Sequence, residues 1–266
     1  MTAVLVLVVT VGLSVAMAGA WLVQRLTRNA GWVDVIWTFA TGTAGVVYAL
    51  TARPDGPGVR QLLLAALIMA WSARLGLHIL DRTRGRPEDT RYAAFRAEWG
   101  IAFERRMFWF LQMQAAAAAL LALSMLLAAA NPRPYLGSGD LAGIVVLAVA
   151  VGGEALADWQ LRQFRADSRN PGRVCDRGLW GWSRHPNYFF EWLGWVAYPL
   201  FAIELGSDYP WGWLALSAPA CMYWLLVHVS GIPPLEQQML RSRGDAYRAY
   251  QARVSRFIPW PSRRTT

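Results

Sequence analysis

The sequence has no lysine, only three histidines and little charge of either sign. All 26 basic residues are arginine, and against 17 acidic residues they leave a formal net charge of +9. Charged residues make up 16% of the 266-residue chain, whereas an ordinary soluble domain has about 25%. The two cysteines, Cys175 and Cys221, are too few for a disulfide framework and have no neighbours at metal-ligand spacing. These deficits argue against a disulfide-rich extracellular module, a zinc module and a disordered chain.

Long apolar stretches make up most of the sequence. Hydrophobic residues account for 55% of the chain, and about 20 consecutive apolar residues can cross a hydrocarbon core of about 30 Å. The first stretch lacks the basic start and short apolar core of a signal peptide, so we expect it to be retained. The sequence therefore predicts an all-α integral membrane bundle of seven transmembrane helices. The predicted spans are 1–23, 32–51, 61–80, 107–130, 141–161, 188–205 and 211–231.

Arginine alternates between the predicted loops. The segments after the first, third and fifth spans are rich in arginine, as is the tail. The other loops contain only Arg53, Arg60 and Arg133. The positive-inside rule then places the rich segments and the C-terminus in the cytoplasm and the N-terminus outside. Much of the positive charge is explained by this orientation, and we expect no nucleic-acid partner.

Several ionisable residues fall inside the predicted spans, where they are costly and usually face a cavity or a partner. They are Asp34, Arg74, His78, Glu154, Asp158 and Glu191. Arg162 and Arg165 continue the helix face of Asp158 at helical spacing. One interpretation is a set of structural pairs, such as Asp34 with Arg74. The other is a shared polar pocket near the cytoplasmic ends of the helices.

The segment 158–191 combines features of a phosphate-binding site. Gly172 and Gly178 allow tight turns, and a helix predicted to begin near Pro186 would present donors to an anion through its N-terminus and Asn187. Neither a GxGxxG nor a GxxxxGK[ST] motif is present, so the sequence predicts no soluble Rossmann domain or P-loop. Phosphate oxygens could pair bidentately with Arg162, Arg165, Arg173 and Arg184.

The motifs in this part of the chain resemble a known family. The chain from residue 158 onward contains DWQLRQFR, NPGRVCDRGLW and SRHPNYFFEWLGW, and its tail contains GIPPLEQQML and RGDAYRAYQARVSRFIPW. In combination they resemble the steroid 5α-reductase family, in particular its bacterial branch of multi-span membrane proteins. The resemblance is strongest over residues 150–260. SRHPNY alone is less specific, because isoprenylcysteine carboxyl methyltransferases and related membrane methyltransferases carry similar motifs.

The resemblance implies an enzyme of the bacterial inner membrane that binds NADPH at a site facing the cytoplasm. Its substrate would be a lipophilic enone that enters from the membrane lipids, such as a 3-oxo-4-ene steroid. We expect residues 1–140 to face the substrate and residues 141–266 to hold the cofactor, in a single reductase domain. The positions that match the family's cofactor-binding residues are Arg82, Asp158, Arg162, Arg165, Arg173, Asn187, Glu191 and Glu236.

The sequence departs from the family at the group that activates the ketone. The family uses a Glu on the second span and a Tyr on the third, where this chain offers Asp34 and His78. We predict Asp34 and His78 as the catalytic polar pair, with Tyr48 and Tyr92 as alternative donors. The departure leaves the substrate open to other hydrophobic enones or isoprenoids.

Two other functions compete with the reductase. One is a membrane methyltransferase that uses S-adenosylmethionine, which has no phosphate and so needs no arginine cluster. The other is a transporter or structural membrane protein, in which buried charges line a pathway. Transporters often contain inverted repeats, and the absence of an internal repeat in the sequence argues against that alternative. Against the methyltransferase, the arginines between positions 162 and 173 favour a dinucleotide, which carries phosphates.

Overall fold

The computed structural model describes residues 2–170, 172–205 and 209–261, and over these ranges the chain is helical and contains no β-strand. This confirms the predicted all-α class. Short 3-10 turns at Gly178–Gly181 and Pro210–Leu216 and a π-turn at Leu225–Val229 connect or extend the helices. The α-helices are α1 (Thr2–Thr27), α2 (Gly31–Thr51), α3 (Val59–Thr83), α4 (Thr90–Trp99), α5 (Phe103–Ala129), α6 (Ser138–Ala166), α7 (Pro186–Ala202), α8 (Ser217–Trp224) and α9 (Ile232–Arg253).

Within the described residues, six helical stretches are long and apolar enough to cross a membrane, as expected for an integral membrane protein. α7, the predicted sixth span, has 17 residues and contains Pro199. At 1.5 Å per residue it is about 25 Å long, slightly short of a typical hydrocarbon core. The six stretches are Ala3–Thr27, Gly31–Thr51, Val59–Thr83, Arg91–Ala129, Ser138–Ala166 and Pro210–Arg253.

The chain forms two compact units that alternate along the sequence. The first unit comprises Met1–Gly143 and Tyr198–Ala218, and the second comprises Ile144–Ala197 and Pro219–Thr266. The division therefore runs through α6 after Gly143 and through α7 after Ala197.

Small residues bring α2 and α3 of the first unit into close contact. The Ser72 side chain occupies the space that a Cβ on Gly42 would need, and its Oγ donates to the Thr38 carbonyl at 3.2 Å. Further along, the Phe39 ring lies against Gly76. Close packing over glycine and serine is typical of helices in membranes, where backbone approach replaces the hydrophobic driving force.

A buried ion pair fixes the connection between α5 and α6. Arg60 donates to Asp140 at 2.6 Å (Nε to Oδ1) and 2.8 Å (Nη2 to Oδ2). Its remaining N–H groups donate to the carbonyls of Asn131, Arg133 and Tyr135 at 3.3, 2.7 and 2.8 Å. Arg60 and Asp140 are only 4% and 2% exposed, so neither charge has water as an alternative partner. The five donors of the guanidinium thus define the path of the loop between the two helices.

We expect Asp140→Ala to destabilise the protein by about 3–5 kcal/mol, because it leaves the Arg60 charge buried without a counter-ion. Asp140→Asn keeps one acceptor oxygen, so its stability should lie between that of Asp140→Ala and that of the native protein. The measurement is thermal unfolding in detergent. Arg248→Ala is the control, because its ion pair with Asp245 is exposed and should contribute less than about 1 kcal/mol. Equal unfolding temperatures for Asp140→Ala and the native protein would contradict the role of this pair.

Candidate functional site

In the second unit, α6 and α7 run antiparallel with glycine at their contact. The Phe190 ring lies directly on Gly153, and Gly194 faces Leu147 at 3.6 Å from its ideal Cβ position. Gly153 thus lies opposite Phe190, and Leu147, earlier on α6, lies opposite Gly194, later on α7. This order defines the antiparallel register. A larger residue at position 153 would displace the Phe190 ring and separate the helices.

This register brings together the polar residues predicted on the two helices. Asn187 Nδ2 lies 3.4 Å from Asp158 Oδ1. Glu154 comes four residues before Asp158 and Glu191 four residues after Asn187, so the two glutamates lie level with each other one turn away. Glu191 accepts a hydrogen bond from Trp195 Nε1 at 3.0 Å. The three carboxylates are 5%, 9% and 8% exposed in chain order and form a buried polar layer.

Exposed arginines follow this layer along α6. Arg162 and Arg165 are exposed and lie one and two turns after Asp158 on the same helix face. Arg173 is exposed in the loop that follows α6. Of the three predicted phosphate-binding arginines, Arg162 and Arg165 thus continue α6 beyond the buried carboxylates, and Arg173 lies in the loop that follows.

A fourth arginine joins this region from the tail and was missed by sequence reasoning. Gly172 has a φ of +73°, and a Cβ there would lie 3.0 Å from Arg243 Nη1. The Nε of Arg243 is buried and has no hydrogen-bond partner in the part of the chain that the structure describes. The positive φ favours glycine at position 172, and a larger residue there would also have to displace the guanidinium slightly. Arg243 thus presents an N–H donor without an acceptor next to Arg173.

Glu236 on α9 is the centre of a hydrogen-bonded cluster in the second unit. Its Oε1 accepts from Arg184 Nε at 2.7 Å and from Tyr247 Oη at 3.3 Å, and His185 Nε2 lies 3.2 Å away. Its Oε2 accepts from Gln251 at 3.1 Å. Arg184 and Glu236, both predicted to contact the cofactor, are therefore paired with each other. The cofactor role of Glu236 stays a prediction.

His185 is almost completely buried in this cluster. It is 2% exposed and stacks on Tyr188, with ring centroids 5.7 Å apart. Burial lowers the pKa of His185 below its ordinary value of 6.5, although the hydrogen bond and charge of Glu236 oppose this. A neutral imidazole would donate from Nε2 to Glu236. The buried Nδ1, which has no partner among the described residues, then carries a lone pair rather than an unsatisfied N–H.

In the first unit, Asp34 has two close partners. Arg91 Nη2 donates to Asp34 Oδ2 at 2.6 Å, and Tyr92 Oη donates to Oδ1 at 2.7 Å. The structure thus joins Asp34 to Tyr92, one of the two alternative donors. Tyr48, the other, is buried in the apolar core. His78 lies on α3, one turn after Arg74 as its spacing predicted.

Asp89, in the loop before α4, contacts both Arg91 and Arg82. Asp89 caps α4 by accepting from the Arg91 backbone N–H at 3.0 Å, and it also pairs with the Arg91 side chain. Arg82 Nη2 lies 3.7 Å from Asp89 Oδ2. Burial by itself raises the pKa of Asp89, but Arg91 and Arg82 lower it below its usual range. The Asp-x-Arg-Tyr sequence at 89–92 is a helix-cap signal that could have indicated α4.

Comparison with known proteins covers all of these positions. A family model described as "Protein of unknown function (DUF1295)" matches residues 20–254. The chain belongs to this family. The family includes steroid 5α-reductase-like membrane proteins. Every predicted site residue, from Asp34 to Glu236, lies within the matched range.

A relative in fission yeast is also similar. It is "Uncharacterized protein C594.04c" of Schizosaccharomyces pombe, 28% identical over 268 residues that cover 90% of this chain and 75% of the relative. No solved structure matches the chain.

Removing the Glu236 carboxylate should release the tail. We expect Glu236→Ala to cost about 3–5 kcal/mol, because Arg184 and His185 lose their shared buried acceptor. Glu236→Gln, which keeps an acceptor oxygen, should cost less. Limited proteolysis monitors cleavage within 232–254, with thermal unfolding as the second measurement. Asp245→Ala, an exposed change on the same helix, serves as control. Unchanged protease resistance in Glu236→Ala would show that other contacts hold the tail.

Proposed function

We propose that the chain is an NADPH-dependent reductase of a carbon–carbon double bond conjugated to a ketone in a lipophilic substrate. We further propose seven spans, with the N-terminus outside, the C-terminus in the cytoplasm and the cofactor bound on the cytoplasmic side of a bacterial inner membrane. The observation that carries the function is the cluster of exposed arginines beside a buried layer of carboxylates in the second unit. This arrangement combines donors for phosphate with acceptors for sugar and amide groups.

The donor set fits a dinucleotide with several phosphates. Arg162, Arg165 and Arg173 are exposed guanidinium groups, and Arg243 has an N–H without an acceptor. Guanidinium groups bind phosphate oxygens in bidentate geometry. S-adenosylmethionine carries no phosphate and would leave this group of arginines unused. The excess of donors therefore favours NADPH over the methyl donor.

The roles within the second unit follow from the chemistry of each group. The four arginines would bind the pyrophosphate and the 2′-phosphate. The Asp158 and Glu191 carboxylates would accept hydrogen bonds from ribose hydroxyl or amide groups, and Asn187 can both donate and accept. NADPH, when bound, supplies the hydride that reduces the double bond. The apolar surroundings of the buried carboxylates keep water from competing for their hydrogen bonds.

In the first unit, we assign ketone activation to the pair of Asp34 and Tyr92. Negative charge develops on the ketone oxygen during reduction, and a hydrogen bond from the chain stabilises it. Tyr92 is 2% exposed and its hydroxyl already donates to a carboxylate. Tyr92 has a single O–H, so on substrate binding that hydrogen would turn from Asp34 to the ketone oxygen, while Arg91 continues to hold Asp34 through its other oxygen. His78 stays a predicted member of the site.

Ligand-induced stabilisation tests the cofactor. We expect NADPH to raise the thermal stability of the purified protein in detergent, by about 2.7 kcal/mol at a concentration one hundred times the Kd, and S-adenosylmethionine to have no effect. If Arg165 binds the 2′-phosphate, Arg165→Ala should lower the affinity for NADPH about tenfold or more and the affinity for NADH less. Arg169→Ala is the matched control, because its exposed guanidinium is already paired with Asp167.

One outcome would overturn this proposal, and a second would revise the role of Arg165. Stabilisation by S-adenosylmethionine but not NADPH would indicate the methyltransferase. Equal loss of NADPH and NADH in Arg165→Ala would remove that residue from the 2′-phosphate site.

The donor is tested separately by Tyr92→Phe, which removes only the hydroxyl. With a 4-ene-3-one steroid as substrate and NADPH absorbance as the readout, kcat should fall about 10²-fold. Stabilisation by NADPH should be unchanged, because the cofactor residues are untouched. Tyr48→Phe is the control for loss of a buried hydroxyl. A normal kcat in Tyr92→Phe combined with a large loss in His78→Gln would assign the donor to His78 instead.

A further inference from the structure

A cleft of about 590 Å³ lies on the first unit at the beginning of α5, away from the polar residues considered so far. It is lined by Trp99, Arg105, Arg106, Trp109, Phe110 and Met113. The lining combines two adjacent cations with aromatic and thioether side chains. Such a combination is typical of a site for an amphipathic anion.

The two arginines of the cleft have no counter-ion of their own. Arg105 and Arg106 are exposed and make no hydrogen bond or ion pair within the described ranges. The neighbouring Glu104 is already used by Gln24 at 2.9 Å and Arg25 at 3.5 Å. Two positive charges therefore stand uncompensated at one end of the cleft, which favours an anionic ligand.

The lining residues follow the order of the layers in a membrane. Arg105, Trp109 and Met113 are spaced i, i+4 and i+8 on α5, so they form one stripe along the helix. Trp109 and Met113 are 63% and 65% exposed, although α5 belongs to a stretch apolar enough to cross a membrane. A guanidinium is thus followed by an indole and then by a thioether toward the centre of the span. A membrane has the same order of layers, with the headgroup phosphate outermost, the interfacial region next and the acyl chains at the centre.

The aromatic part of the lining is held by contacts between rings. Trp99 stacks on Phe95 with ring centroids 4.7 Å apart and an interplanar angle of 4°. Phe110 contacts both rings edge-on, at 5.6 Å from Phe95 and 6.3 Å from Trp99. Because these rings support one another, the cleft needs little reorganisation to accept a ligand.

We propose that this cleft binds an anionic phospholipid. Arg105 and Arg106 hold the phosphate, Trp109 lies at the level of the glycerol, and Met113 contacts the acyl chain. The arginines lie at the end of α5 that the arginine distribution places in the cytoplasm, where basic residues near the surface attract anionic lipids. The proposal rests on α5 crossing the membrane and is independent of the reductase function.

Native mass spectrometry of the full chain, extracted into detergent with phosphatidylglycerol and phosphatidylcholine, tests the site. The native protein should retain phosphatidylglycerol preferentially. Arg105→Ala/Arg106→Ala should retain roughly thirtyfold less, because each arginine near an anionic lipid contributes about fivefold. Arg105→Lys/Arg106→Lys should recover most of the binding through charge. Gel filtration and thermal unfolding without added lipid verify that the variants fold.

The matched control is Arg241→Ala/Arg248→Ala, which removes two exposed arginines elsewhere in the chain. It should retain phosphatidylglycerol like the native protein. Equal retention by Arg105→Ala/Arg106→Ala and the native protein overturns the proposal, as does an equal loss in the control, which would indicate bulk charge attraction. A native dimer that becomes monomeric in Arg105→Ala/Arg106→Ala, with lipid retention unchanged, would assign the cleft to a second copy of the chain.

Discussion

A charge removed from water must be supplied with a partner by the protein itself, and this constraint organises the polar residues of the whole chain. Arg60 uses Asp140 and three carbonyls, Asp34 uses Arg91 and Tyr92, and Glu236 accepts four hydrogen bonds from its own unit. Each arrangement joins segments that are distant in sequence. Polar groups that in a soluble protein would turn to solvent here determine which helices and loops are neighbours.

The helices and their apolar character could be predicted because the length and composition of an apolar run are local properties of the sequence. The i, i+4 spacing also correctly placed Asp158 before Arg162 on one face of α6. Three features could not be predicted in the same way. Asp34 and Tyr92 are 58 residues apart, Gly172 meets Arg243 through the fold, and the pairing of Arg184 with Glu236 depends on where α9 lies. Such contacts depend on tertiary packing, which a pattern within one helix does not encode.

The arginines of this chain fall into groups with different surroundings. Some hold loops or the tail in place, like the buried Arg60 and the partly buried Arg184. Others, like Arg162 and Arg165, are exposed beside a buried acidic layer, and Arg105 and Arg106 are exposed beside aromatic rings. Composition alone cannot separate these groups, because every member contributes the same formal charge. Burial and partners separate them, so residues that contribute equally to the net charge of +9 differ in their structural surroundings.

Each of the two units is discontinuous in sequence, because it is built from two pieces that alternate with those of the other. No single cut can therefore separate them into contiguous fragments. During synthesis the first unit lacks Tyr198–Ala218 until most of the chain has been made, and the second lacks α9 until nearly all of it has. The proposed phosphate-binding region, which includes Arg243 on α9, is thus completed last. Truncation before α9 would therefore leave the second unit incomplete although most of the chain remained.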